Sequence, residues 1–264
     1  MDDTIEITGF TAAPFVSEGI EHLVYRDGTG PAVIVLHEIP GLHPGVIEFS
    51  QRLVARGFHV VMPSLFGTPK KAVSGGYIAQ SLVSACVAKE FTNWALNQTS
   101  PVTKWLRALA LDAHRANGGP GVGAIGMCFT GGFALGMMVD DRMLAPVLSQ
   151  PSLPFAAGKK RSKSVGISNA DLAIVKKRVE AGACVMGLRF SADKMVPDER
   201  FETLREELGE GFLAVEIDSS PDNPNKISTK AHSVLTLDFV DSVGHPTYEA
   251  LERVLEFLDD RLRV

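Results

Sequence analysis

"AIGMCFTGGFALG", residues 124–136, is an apolar run that halts at Gly126, places a cysteine at Cys128 and resumes as a string of small residues. Its first part, within "VGAIGM" (122–127), reads as a buried strand, and "FTGGFALGMMV" after Cys128 reads as a helix. A strand that turns straight into a helix beside a glycine can hold a nucleophile in a strained, accessible position. Gly126 suits that turn. Thr130 stands where a second glycine is usual, and Gly131 and Gly132 follow at once. The helix N-terminus would stabilise a thiolate at Cys128, and the Phe129 N–H would point at a developing oxyanion. The competing reading makes Cys128 a small apolar core residue, a common fate of a free cysteine.

Outward from this stretch, short β-type runs alternate with longer helical ones. "HLVYR" (22–26) and "AVIVLHE" (32–38) read as strands joined by a "DGTG" turn, and "FHVVMPS" (58–64) as another. "GVIEFSQRLVARG" (45–57) has helical spacing and closes at Gly57. Residues 65–99 hold a Gly-Gly pair and then a helix through "SLVSACVAKEFTNWAL". Ser100-Pro101 supplies a cap and a first-turn proline for a helix to about Asn117. "MLAPVLSQPS" (143–152) is a strand and "GKKRSKSVG" (158–166) a polar loop. Ser168 and Asp171 form a capping box for "NADLAIVKKRVEAG". "ACVMGLRF" (183–190) and "GFLAVEID" (211–218) are strands flanking the helix "PDERFETLREELG", and "TYEALERVLEFLDDRL" (247–262) is a closing amphipathic helix. Nearly all-apolar strands alternating with helices predict an α/β protein, its mainly parallel sheet covered on both faces. With no linker, repeat or low-complexity block, residues 1–264 read as a single domain. Ligands in such sheets sit beyond the carboxyl ends of the strands.

The totals narrow the function classes. A chain of 264 residues with 45% apolar and 22% charged residues describes an ordinary globule able to bury a large core. A formal charge of −5 argues against nucleic-acid and anionic-membrane partners, and "KKRSK" (159–163) reads as a solvated basic loop. The start, "MDDTIEITGFTAAP", lacks a secretory pattern, and no apolar run has transmembrane length. Cys86, Cys128 and Cys184 are widely spaced, with no CxxC or Cys/His cluster, which predicts neither metal site nor disulfide framework and a reducing, cytoplasmic setting. Met137 and Met138 read as helix core, while Trp94 and Trp105 suit either core or pocket wall.

A nucleophilic cysteine needs a base, and the base needs an orienting carboxylate. Downstream of Cys128 the only histidines are His232 and His245. His232 lies between the last strand and the last helix, whereas His245 directly precedes that helix beside a possible Thr247 cap. Asp193 in "LRFSADKMVP" follows a strand directly; Asp198, beside Pro197 at a helix start, is the alternative carboxylate and suits a cap. The loop "LHEIPG" (36–41) offers the Ile39 N–H as a second oxyanion donor. Glu38 beside it would raise the pKa of a nearby thiol and keep it quiet until substrate arrives.

"HEIPG", "GMCFTGG", "SADKMVP" and "AHS", in that order and spacing, resemble the dienelactone hydrolase family from about residue 20 to the C-terminus. The resemblance implies a cofactor-free α/β-hydrolase fold with a Cys128–Asp193–His232 triad. It implies an oxyanion hole from Ile39 and Phe129, and a Glu38 that engages the resting thiol and is displaced by substrate. The implied function is hydrolysis of a small-molecule ester or lactone by a monomer or homodimer. The resemblance departs at two points. Thr236 replaces an arginine expected after the histidine, and no arginine occurs between Arg56 and Arg107, leaving Lys70, Lys71 and Lys89 as local cations. These departures point away from dienelactone itself as substrate, and "GGYIAQSLVSACVAKEFTNW" would form a more apolar wall. Two other readings stand beside this one: a non-catalytic small-molecule-binding protein on the same scaffold, and a redox sensor acting through Cys128.

Overall fold

The computed structural model describes residues 4–91 and 98–263. Eight strands form one sheet: β1 (Thr11–Ser17), β2 (Ile20–Asp27), β3 (Ala32–Leu36), β4 (His59–Pro63), β5 (Val122–Met127), β6 (Met143–Ser149), β7 (Val185–Phe190) and β8 (Phe212–Ile217). Their spatial order is β1-β2-β4-β3-β5-β6-β7-β8. The six strands from β4 to β8 in that order pair in parallel, and β1 and β2 add an antiparallel margin. This is the mainly parallel α/β sheet that the apolar strands predict.

Helices α1 (Pro44–Ala55), α2 (Gly75–Val87), α3 (Val102–Asn117), α4 (Gly131–Met137), α5 (Lys159–Lys163), α6 (Asn169–Glu180), α7 (Asp198–Leu208) and α8 (Pro246–Leu262) connect the strands. Every residue of β3 is buried because the sheet is covered on both faces. Ala32, Ile34 and Leu36 join the core layer that holds Trp105 and Leu109 of α3 and Phe201 of α7. Val33 and Val35 join the opposite layer, with Phe49 and Leu53 of α1 and Val254 and Leu258 of α8. Each such side chain taken from water contributes roughly 1.5–3 kcal/mol, which is what holds the strand ends in register.

Several local expectations are corrected. β1 is a strand the sequence reading missed, because Pro14 interrupts "TAAPFVS"; proline is tolerated here because the strand is an edge. Glu18 (φ +54°) and Gly19 (φ +73°) close its hairpin with β2. α2 begins at Gly75, behind Ser74 as N-cap, and ends at Val87; the expected continuation through Trp94 to Leu96 enters residues 92–97, outside the described residues. Ser100 does not cap α3; its hydroxyl donates to the Glu90 carbonyl at 2.7 Å. "KKRSK" is not a loop but the short helix α5, opened by Gly158. β6 stops at Ser149, because Gln150 turns the chain at φ +36°. Trp105 is a core residue, with the Phe15 ring at 5.4 Å and the His22 ring at 5.0 Å, both edge-on. Met137 and Met138 are buried, as expected of helix core. No helix among the described residues is long and apolar enough to cross a membrane.

Candidate active site

β5 runs into Cys128, whose φ of +53° is a left-handed conformation that costs a non-glycine residue energy. Two neighbouring glycines make room for the turn. A Cβ on Gly126 would lie 2.5 Å from the Thr130 carbonyl oxygen, and one on Gly131 would lie 2.5 Å from Pro151 Cα. Thr130, at the place where glycine is usual, serves as a tie. Its buried hydroxyl shares its hydrogen between the carbonyls of Leu36 (2.9 Å) and Met127 (3.0 Å) and accepts from the Met127 N–H at 3.0 Å. The end of β3 is thereby fixed against the elbow.

The Cys128 sulfur lies 3.4 Å from the hydroxyl of Ser152, a fully buried residue absent from the sequence-based set. Asp193 follows β7 and turns back, its N–H donating to the Phe190 carbonyl at 3.2 Å. Asp193 Oδ1 accepts from the Met195 N–H at 2.9 Å, and Oδ2 lies 2.6 Å from His232 Nδ1. A carboxylate there requires a proton on Nδ1, so Nε2 is the nitrogen left for chemistry. Nε2 is buried and lacks a hydrogen bond of normal geometry among the described residues. Burial works against the imidazolium, but negative charge on the Cys128 sulfur and the bond from Asp193 outweigh it and push His232 up to about 11. The loop carrying His232 is pinned by Asp238, whose Oδ2 accepts from the N–H groups of His232 (2.8 Å) and Ser233 (2.9 Å).

The alternatives go elsewhere. Asp198, 71% exposed, pairs with Arg189. His245 is the N-cap of α8, its Nδ1 accepting from the Thr247 N–H.

Glu38 is buried and its carboxylate meets four donors. His43 Nε2 (3.1 Å) and the Thr236 hydroxyl reach Oε1; the Ser233 hydroxyl (2.6 Å) and Gln150 Nε2 (3.2 Å) reach Oε2. His43 caps α1, with Nδ1 accepting from the Gly45 N–H, which fixes its proton on Nε2. Burial pushes the Glu38 carboxyl up, yet the bonds from His43, Ser233 and Thr236 carry it below the ordinary carboxylate range. Glu38 therefore joins the β3 turn to the His232 loop. The sulfur contact anticipated for it is taken instead by Ser152.

Ile39 sits in the turn that the Gly41 N–H closes on the Glu38 carbonyl at 2.8 Å, and it packs against the core. Phe129, directly after Cys128, is buried with ring neighbours Phe66 (5.5 Å), Phe91 (5.8 Å) and Phe133 (6.3 Å). The ground behind the elbow is therefore aromatic. Among the described residues, no group of three or more His, Cys, Asp and Glu is arranged to hold a metal ion.

The match to known families covers residues 22–260, and the model it fits is that of the dienelactone hydrolase family. The chain belongs to the dienelactone hydrolase family. At the level of this family it is an ester- or lactone-directed hydrolase. It is 26% identical over 230 residues to a protein of Escherichia coli K12 named "Putative carboxymethylenebutenolidase", covering 84% of this chain and 77% of that one. Among solved structures, it resembles the "Putative Dienelactone Hydrolase" of Klebsiella pneumoniae at 21% identity and TM-score 0.61, covering 94% and 98% of the two chains. A dienelactone hydrolase-like promiscuous phosphotriesterase from metagenomic libraries matches at 14% identity and TM-score 0.61, over 96% and 98%. These likenesses show that the family's α/β-hydrolase fold is the fold of this chain.

Proposed function

We propose that the protein hydrolyses small-molecule carboxylic esters or lactones through a Cys128–His232–Asp193 triad and a thioester acyl-enzyme. The observation that supports this reading most is one alignment. A cysteine in left-handed conformation stands at a strand-to-helix elbow, and a largely enclosed imidazole, its Nδ1 2.6 Å from a buried carboxylate, keeps Nε2 without a hydrogen-bond partner among the described residues.

In the first half-reaction the Cys128 thiolate attacks the carbonyl carbon. A C–S bond forms and the carbonyl π pair moves to oxygen, where the N–H groups of Ile39 and Phe129 receive it. The intermediate collapses, the C–O bond to the leaving alkoxide breaks, and protonated His232 gives that oxygen its Nε2 proton. In a lactone the freed hydroxyl stays on the acyl group. In the second half, neutral His232 takes a proton from water and the water oxygen attacks the thioester carbon. The C–S bond breaks, its electron pair returns to sulfur, and the acid departs. Asp193 holds the imidazole in the required tautomer throughout.

Two features shape substrate preference. The buried rings of Phe66, Phe91 and Phe133 pack behind Phe129 and offer no charge to a substrate carboxylate. Thr236, in place of a carboxylate-binding arginine, is hydrogen-bonded to Glu38, so the position offers a neutral hydroxyl already engaged. Both favour uncharged esters or lactones over dienelactone itself. The free thiols of Cys86, Cys128 and Cys184 support a reducing, cytoplasmic setting.

Turnover of p-nitrophenyl acetate by the wild type and by Cys128→Ala tests the proposal. The expected result is loss of at least about 10³ in kcat/KM in the variant. Unchanged turnover, or ligand-induced stabilisation of the wild type with no product from any ester or lactone offered, would overturn it.

A further inference from the structure

Ser152 touches Cys128 twice. Its N–H donates to the Cys128 carbonyl at 3.0 Å, and its Oγ lies 3.4 Å from the sulfur. Ser152 is fully buried. A buried hydroxyl costs stability unless it is hydrogen-bonded, and among the described residues the partner of this one is the sulfur; with a neutral thiol either atom can donate, but toward a thiolate only the hydroxyl can.

Three separate anchors carry the chain to this position. The Gln150 N–H donates to the Leu188 carbonyl at 2.7 Å, turning the end of β6 toward β7. Pro151 closes on Gly131, where a Cβ would lie 2.5 Å from Pro151 Cα. Buried Arg200 of α7 then clamps the segment, Nη1 to the Pro151 carbonyl at 2.6 Å and Nη2 to the Pro154 carbonyl at 2.5 Å. The same guanidinium donates to the Ser164 (2.8 Å) and Arg161 (3.0 Å) carbonyls, so it ties the segment after β6 to α5 and, with the other two anchors, holds Ser152 against the elbow.

We propose that Ser152 is a further catalytic residue, whose hydroxyl donates a hydrogen bond to the Cys128 sulfur whenever that sulfur carries negative charge. The proposal rests on the reading of Cys128 as nucleophile. It acts at two moments. In the free enzyme the hydroxyl stabilises the attacking thiolate together with His232. In deacylation, as the C–S bond breaks and its electron pair settles on sulfur, the Ser152 O–H bond stays intact and its hydrogen receives the growing charge.

The other charged groups around the sulfur have defined tasks. His232, on the loop between β8 and α8, is the ionic partner, with Asp193 after β7 behind it. Glu38, after β3, spends its oxygens on His43, Gln150, Ser233 and Thr236. Arg200 faces carbonyls and acts on Asp193 by charge alone. Ser152 is thus a neutral hydrogen-bond partner of the sulfur, distinct from these charged groups.

The test follows the pH dependence of iodoacetamide alkylation at Cys128 in wild type, Ser152→Ala and Ser152→Thr, with the deacylation rate of p-nitrophenyl acetate alongside. Removing a donor to the charged sulfur moves the alkylation profile of Ser152→Ala upward by about one pH unit and slows deacylation about tenfold. Ser152→Thr, which keeps the hydroxyl, stays with the wild type, and Ser152→Gly serves in place of Ser152→Ala if the latter fails to fold. Coincident profiles and rates for hydroxyl-free variant and wild type would overturn the proposal, as would a threonine variant shifted as far as alanine. Cys128→Ala separates the two readings: if it is inactive while Ser152→Ala matches the wild type, only the role of Ser152 falls. If Cys128→Ala remains active, both fall.

Discussion

His232 Nδ1 and Asp193 Oδ2 stand 2.6 Å apart although 39 positions separate them in the chain. Each is delivered by its own turn, Asp193 by the bond of its N–H to the Phe190 carbonyl and His232 by the bond of its N–H to Asp238. Asp193→Asn keeps the size of the side chain but can present an amide N–H to the ring, favouring the tautomer with its proton on Nε2. The expected loss in kcat is on the order of 10³–10⁴ with the fold retained. Steady-state kinetics and a melting curve check it; a loss under tenfold would remove Asp193 from the triad.

Glu38 ties four donors from three chain segments into one buried cluster. Glu38→Ala strands these donors, and a cost of about 2–4 kcal/mol is expected in denaturant unfolding, with a lower kcat because the His232 loop loses its tie. Glu38→Gln, which keeps an acceptor oxygen, should fall between alanine and wild type. Because the carboxylate is held away from sulfur, neither variant should speed alkylation of Cys128. A marked acceleration in Glu38→Gln would restore Glu38 to the thiol-guarding role implied by the family resemblance.

His37 gives stability a pH dependence of definite sign. Its Nδ1 faces the Glu38 carbonyl at 3.1 Å, and its Nε2 accepts from the Leu65 N–H at 3.0 Å, so the buried ring must be neutral. Burial, chiefly, lowers His37 to about 4 from 6.5. The unfolded chain then binds the proton first. The stabilisation is complete above about pH 6.5 and is lost as pH falls toward 4, up to about 3 kcal/mol from this group. Urea unfolding of wild type and His37→Gln across that interval measures it. The variant, weaker at pH 7, should show a shallower decline; parallel declines would contradict the assignment.

The elbow also predicts a contrast between glycines. Gly131→Ala drives a Cβ into Pro151 and displaces the segment bearing Ser152, costing about 1–3 kcal/mol and most of the activity. Gly76→Ala, in the first turn of α2 with open space around it, should be neutral or stabilise by up to about 1 kcal/mol. At about 2–4 °C per kcal/mol, melting temperatures resolve the two.

The parts of the protein that were legible beforehand share one cause. Buried parallel strands are written as apolar runs, so "AVIVL" and "VGAIGM" announce themselves, and ligand-facing positions of such sheets lie just after them, where the candidate residues Glu38, Cys128 and Asp193 stand. What escaped notice depends on contacts without local pattern. β1 hid behind Pro14. Thr130 reads as a defect in a glycine motif until its hydroxyl is seen bridging Leu36 and Met127. Gln150 and Ser233 meet Glu38 across 112 and 195 positions, a separation that leaves no trace in spacing. Ser152, a lone serine between Pro151 and Leu153, acquires meaning only through what it touches.

The central claim is that an acyl group travels through the sulfur of Cys128. Rapid quenching of the enzyme with p-nitrophenyl acetate, followed by peptide mass spectrometry, tests it most directly. The account predicts an acetyl increment on the Cys128 peptide that is labile to hydroxylamine, decays at the turnover rate and accumulates in His232→Ala. An acetyl group on another residue, or none on Cys128 while turnover continues, would contradict it.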